Sequence, residues 1–266
     1  MSKASTPLRR FWAEFRENRL AVVALVVVVL LMFLALFASL VSPQNPYDLA
    51  NLSLMDSRRP PGFVGTGGYT HILGTDPQGR DLLSAILYGL RISIQIGLAA
   101  GFVSLTIGTT LGILAAYVGG RVEALIMRLV DLQLSFPAIL LALVIVALLG
   151  QGKAQLIGAL VAAQYAYFAR TAYGAAKAER GKDYIEAALA TPLSARLVVW
   201  RHMLPNCTPP LIVVATVQVA NAIALEATLS FLGIGLPVTE PSLGLLISNG
   251  FDYTNYCAQS AKPHFF

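Results

Sequence analysis

The sequence predicts an all-α, polytopic membrane protein with about five transmembrane helices. Three observations carry this. Of 266 residues, 56% are hydrophobic and only 12% charged, with a mean hydropathy of +0.67, far outside the range of soluble domains. Apolar windows of about 20 residues, the length that spans a bilayer, recur along the chain. Lys and Arg fall in short segments between those windows with no run of five like charges, so the net charge of +5 reads as membrane topology and not as a nucleic-acid surface.

Residues 1–19 form a basic N-terminal segment, followed by the first span at 20–41, where Ser39 is the one polar side chain. At 1.5 Å per residue this window covers about 33 Å, more than the ~7–15 apolar residues of a cleavable signal peptide, so an uncleaved helix is expected. Residues 42–91 are a polar loop. The core, 92–234, holds the remaining windows: 92–117, 125–149, 156–173 and 210–234. The third of these is the shortest and contains Gln164 and Arg170, with Arg170 placed to snorkel toward an interface. A cytoplasmic N-terminus puts 13 of the 19 Lys and Arg residues inside, as the positive-inside rule requires, and puts the loop at about 174–207 on the cytoplasmic side.

The polar loop is turn-rich, with Pro43, Pro46, Pro60, Pro61, Gly65, Gly67 and Gly68. At its end Asp76-Pro77 predicts a turn, Gly79 permits another, and Asp81 is placed to cap the following helix or to pair with Arg80. In the second span Gly97, Gly101, Ser104, Gly108, Gly112 and Ala115 recur at three- and four-residue steps, which gathers small side chains on one narrow face suited to close helix packing. In the last span Gln218, Asn221 and Glu226 share about half of the helix surface. A carboxylate is costly there unless it meets water or a partner, so these three are the candidate translocation-path residues. The alternative for Glu226 is simple solvation near the outer interface.

Between the last two spans lies an amphipathic stretch. Two short helices are expected, about 183–190 and 192–201, with Leu193, Leu197 and Trp200 on one apolar stripe. Thr191-Pro192 supplies an N-cap and a residue suited to the first helical position. Cys207 and Cys257 have no metal or redox spacing, and His71, His202 and His264 are scattered, so no metal site and no catalytic residue is expected. The sequence GQGKA at 150–154 lacks both the first Gly and the Ser or Thr of a phosphate-binding loop.

Three stretches together resemble the peptide/nickel subgroup of type I ABC importer permeases, over nearly all of residues 20–250. They are EAALATPLSARLVVWRHMLPN at 186–206, HILGTDPQGRDLLSAILYGLRIS at 71–93 and AIALEATLSFLGIGLP at 222–237. The resemblance implies a coupling loop, carried here by Glu186, Ala187, Ala188, Pro192, Leu193, Leu197, Trp200, Leu204 and Pro205, that docks into a groove of an ATP-binding subunit and re-orients the spans when ATP closes that subunit. It further implies a bacterial inner-membrane complex with a second homologous permease, two ATP-binding subunits and a periplasmic solute-binding protein. ATP would be bound by the partners, with no cofactor in this chain, and peptides are the expected solute. The sequence departs from the family at Pro192, where Gly is usual, and in the tail 235–266, where the sixth span is expected to be missing through a truncation or frameshift. The rival classes are a channel or secondary carrier, for which no inverted repeat is evident, and a membrane enzyme, for which no nucleophile and base occur at usable spacing.

Overall fold

A computed structural model describes residues 7–47, 52–185 and 194–260. The chain divides into two compact units, Met1–Arg91 and Ile92–Phe266.

In the first unit, helix α1 (Pro7–Glu17) leads into α2 (Arg19–Leu36), whose start is capped by the Asn18 side chain accepting from the Ala21 amide at 3.2 Å. Only Ala35 of α2 is buried, the expectation for a helix that faces lipid all round. The window at 20–41 is not one helix: it breaks at Phe37 and continues as the short α3 (Ala38–Val41), where Ala38 packs against Leu87 and Tyr88. A 3₁₀ turn (Leu54–Asp56) and a small hairpin of β1 (Phe63–Val64) and β2 (Thr70–His71) follow, with Phe63 opposite His71.

A buried polar network holds this loop. The Asp76 carboxylate accepts from the Arg80 amide at 2.8 Å and from its Nε at 2.7 Å. Asp81 caps the next helix by accepting from the Ser84 amide at 2.8 Å and hydroxyl at 2.7 Å, while its other oxygen lies 3.1 Å from His71 Nδ1. Of the two roles open to Asp81, the cap is the one formed: Arg80 pairs with Asp76 instead, and His71 Nδ1 is hydrogen-bonded to Asp81. The Asp56 carboxyl sits below its ordinary pKa because the Thr66 hydroxyl and amide both donate to it, at 2.7 and 2.9 Å.

Helix α4 (Leu82–Val118) begins ten residues before the predicted span, so the polar loop ends at the Asp81 cap. In the second unit, left-handed Gly119 separates α4 from α5 (Gly120–Leu134), and α6 (Ala138–Leu149) follows at a 91° bend. The window at 125–149 was expected to be one span, and it is bent. Pro137 interrupts it, since proline supplies no amide donor and disfavours helical geometry at the residue before it. Then come α7 (Lys153–Arg180), α8 (Ala195–Val198), a π-helical turn (Val199–Met203), α9 (Leu204–Phe231) and α10 (Leu243–Ser260).

Among the described residues three helical segments are long and apolar enough to cross a membrane, Arg19–Leu36, Leu82–Val118 and Val199–Phe231, or four if the bent α5–α6 pair is one span. The window at 156–173 lies in α7, which packs against α5, α6 and α9 and buries an alanine-rich face of ten residues, so its composition is that of an interior helix. The tail assigned no span carries α10, whose polar second half leaves it less apolar than a membrane-crossing helix.

Two apolar clusters fill the second unit. One joins Ile92, Ile96, Val146, Leu156, Leu160 and Leu229; the other joins Ile113, Phe168, Ala176, Met203 and Leu211. Lys153 pairs with Glu240 at 3.0 Å and Gln151 donates to the Gly233 carbonyl at 2.6 Å, which brings the α6–α7 and α9–α10 turns to one end. Arg180 donates to the Ala116 carbonyl at 2.6 Å, which brings the ends of α4 and α7 together at the other.

Candidate functional site

The segment expected from the sequence to form a coupling loop is framed by buried anchors. Ile185, Val198, Met203 and Cys207 are all inaccessible to solvent and, apart from Val198, belong to the cluster with Phe168 and Ala176. Side-chain hydrogen bonds close the frame: the Tyr184 hydroxyl donates to Glu179 at 2.5 Å, and Asn206 donates to the Tyr184 oxygen at 2.9 Å and to the His202 carbonyl at 2.7 Å. That donation to Glu179 pushes the Tyr184 pKa up to about 12. From this frame Trp200, 65% exposed, and Leu197, 38% exposed, point outward. Leu204 is half-buried and Pro205 exposed. Glu186, Ala187, Ala188, Pro192 and Leu193 lie outside the described residues.

The second short helix was expected to stop at Arg201. Instead the chain runs through the π turn directly into α9, with the Leu204 amide bonded to the Val199 carbonyl five residues back. Pro205 has no amide to return to the Arg201 carbonyl and its ring crowds that carbonyl, and the wider turn makes room.

Gln218, Asn221 and Glu226 do not form one water-facing row. Asn221 is exposed and donates to Gln218 at 3.1 Å, whereas Gln218 and Glu226 are buried. Glu226 is enclosed by three hydroxyls: Ser93 on α4 donates to Oε2 at 2.6 Å, and Ser230 and Ser242 each donate to Oε1 at 2.9 Å. It is therefore not solvated near an interface, and the arrangement ties α4, α9 and the segment before α10 together.

The small-residue face of α4 serves two neighbours. A Cβ on Gly97 would lie 2.5 Å from Ile223 and one on Gly101 2.6 Å from Val219, both on α9. One on Gly108 would meet the Tyr165 carbonyl and lie 2.6 Å from Phe168 Cβ, and one on Gly112 would meet the Ala169 carbonyl, both on α7. Ser104, between the two sets, is wholly buried.

A further feature escaped the sequence reading. A cavity of about 360 Å³ opens between α5 and α7, floored by Gly120, Ala124 and Met127. Arg170, expected to snorkel, pairs across it with Asp131, and Lys177 pairs with Glu123, which also accepts from the Tyr173 hydroxyl. The signal was present as charges eight residues apart on α5 and seven apart on α7, each set on one helix face.

Residues 108–260 match the family described as binding-protein-dependent transport system inner membrane component, and residues 6–61 match the N-terminal transmembrane domain of oligopeptide transport permease C. The chain is 37% identical to the di/tripeptide transport system permease DppC of Pseudomonas aeruginosa, over 93% of this chain and 81% of that one. It is 38% identical to the dipeptide permease DppC of Escherichia coli K12, over 96% and 83%. With a putative peptide permease of Brucella suis the identity is 39%, over 90% and 76%. Among solved structures, a chain of the inward-facing MetNI methionine ABC transporter superposes with a TM-score of 0.50 at 18% identity, covering 65% of this chain and 92% of that one, a likeness of fold.

Proposed function

The chain belongs to the family of binding-protein-dependent transport system inner membrane components, and on that premise we propose that it is a permease subunit of an ATP-binding-cassette importer for peptides. The observation that carries the coupling role is the outward pair Leu197 and Trp200 on a buried, hydrogen-bonded frame, because a large exposed aromatic held rigidly suits a hydrophobic groove on a partner. That partner is an ATP-binding subunit, two of which serve the complex, and a second homologous permease completes the path. Peptides are the solute that fits the named activities of the DppC relatives.

The N-terminus and the coupling frame lie in the cytoplasm, which leaves the loop between α3 and α4 outside. That loop holds Leu54, Met55 and Ile72 exposed on a rigid polar network, a surface suited to an external solute-binding protein. Co-purification of the tagged chain from native membranes tests the assembly. Wild type is expected to bring down an ATPase and a second permease, while Trp200→Ala and Glu186→Lys keep the permease and lose most of the ATPase. Undiminished ATPase with both variants would sink the coupling role.

A further inference from the structure

None of the residues lining the charged cavity between α5 and α7 belongs to the proposed coupling segment. Arg170 stands ten residues, about 15 Å, before the end of α7, and it is half exposed. A guanidinium is costly against acyl chains, and charges within a membrane turn to water, to protein or to the interface, so a half-exposed Arg170–Asp131 pair suits a face open to water or protein. Its two charge centres lie about 10–12 Å apart along the helices, seven residues on α7 and eight on α5. An extended di- or tripeptide reaches about 7–11 Å from end to end. Between the centres the floor is small and adaptable, with Ala124 and the flexible thioether of Met127, which suits cargo of variable side chains.

We infer that this cavity is a transit subsite for a zwitterionic di- or tripeptide, an inference that rests on the peptide-importer reading. The Arg170 fork turns from Asp131 to the peptide carboxylate, the planar partner it is shaped to grip with two N–H groups. Glu123 turns from Lys177 to the peptide ammonium and keeps the Tyr173 hydroxyl as a donor. The exchange balances charge, since each internal pair is replaced by one with the peptide, and Asp131 and Lys177, both more than half exposed, return to water. Exposed pairs are weak and re-form readily, so the peptide is held without being trapped.

The test uses the reconstituted importer with its binding protein and a tripeptide carrying a diazirine side chain, photolysed during ATP-driven uptake. Adducts are expected on α5 or α7 near Met127 and Tyr173. Arg170→Gln is expected to lower both adduct and uptake about tenfold, and Arg170→Lys, which keeps the charge without the fork, to lower them less. Adducts confined elsewhere, with normal uptake by Arg170→Gln, overturn the subsite while leaving the importer reading intact. Loss of the second permease from Arg170→Gln preparations would make the cavity a subunit contact and also overturn it. A wild-type assembly that takes up no peptide overturns the importer reading and the subsite together.

Discussion

At the scale of single residues, Glu226 is the clearest case of a side chain whose role depends on its surroundings. Its carboxylate accepts from three serines, so Glu226→Gln puts an amide donor where an acceptor stood; the serine facing it must turn to accept, and its own proton loses the Glu226 acceptor, a loss of about 1–3 kcal/mol. A drop of several degrees in the unfolding temperature of the purified protein is expected; an unchanged value would mean that the cage contributes nothing. That a carboxylate sat on the last span was legible from the sequence. Its cage was not, because Ser93 lies 133 positions away and only packing brings it close. The same holds for Arg170, which reads as a lone charge until Asp131 is found opposite it.

At the scale of elements, α4 shows why spacing can be read directly. Three- and four-residue steps decide which atoms are missing from one helix face, and the structure places two other helices where they are missing. Gly108→Ala would drive a methyl into the Tyr165 carbonyl, which as main chain cannot swing aside, and is expected to cost about 1–3 kcal/mol. Gly158→Ala, which meets open space on α7, is expected to be neutral or to stabilise by up to ~1 kcal/mol. Thermal unfolding of the two variants side by side checks the contrast, and equal values would refute close packing at Gly108. The bend between α5 and α6 and the π turn before α9 were hidden for the opposite reason. Both arise at prolines whose effect on a helix depends on what neighbours it, and hydropathy windows average over them.

At the scale of the whole molecule, the membrane class and most of the helical order were legible, because lipid-facing helices announce themselves by composition. Helix α7 was the faintest window because burial among other helices relieves it of that demand, and α10 escaped because its polar second half hides the helix. Topology is the expectation that belongs to this scale. A cysteine introduced at Ser194 should react with a membrane-impermeant maleimide only after cells are opened, and one at Leu54 should react in intact spheroplasts. The reverse pattern would invert the orientation and overturn the proposed coupling role.

Helix α9 is held very differently at its two ends. Near Trp200, Pro209 and Pro210 delete two successive main-chain hydrogen bonds, while about five turns further on the serines around Glu226 fasten it to α4. Under the coupling role proposed for Trp200, a push there would bend α9 at the proline pair first, and the serine cage around Glu226 is where the rest of the movement would be handed on to α4.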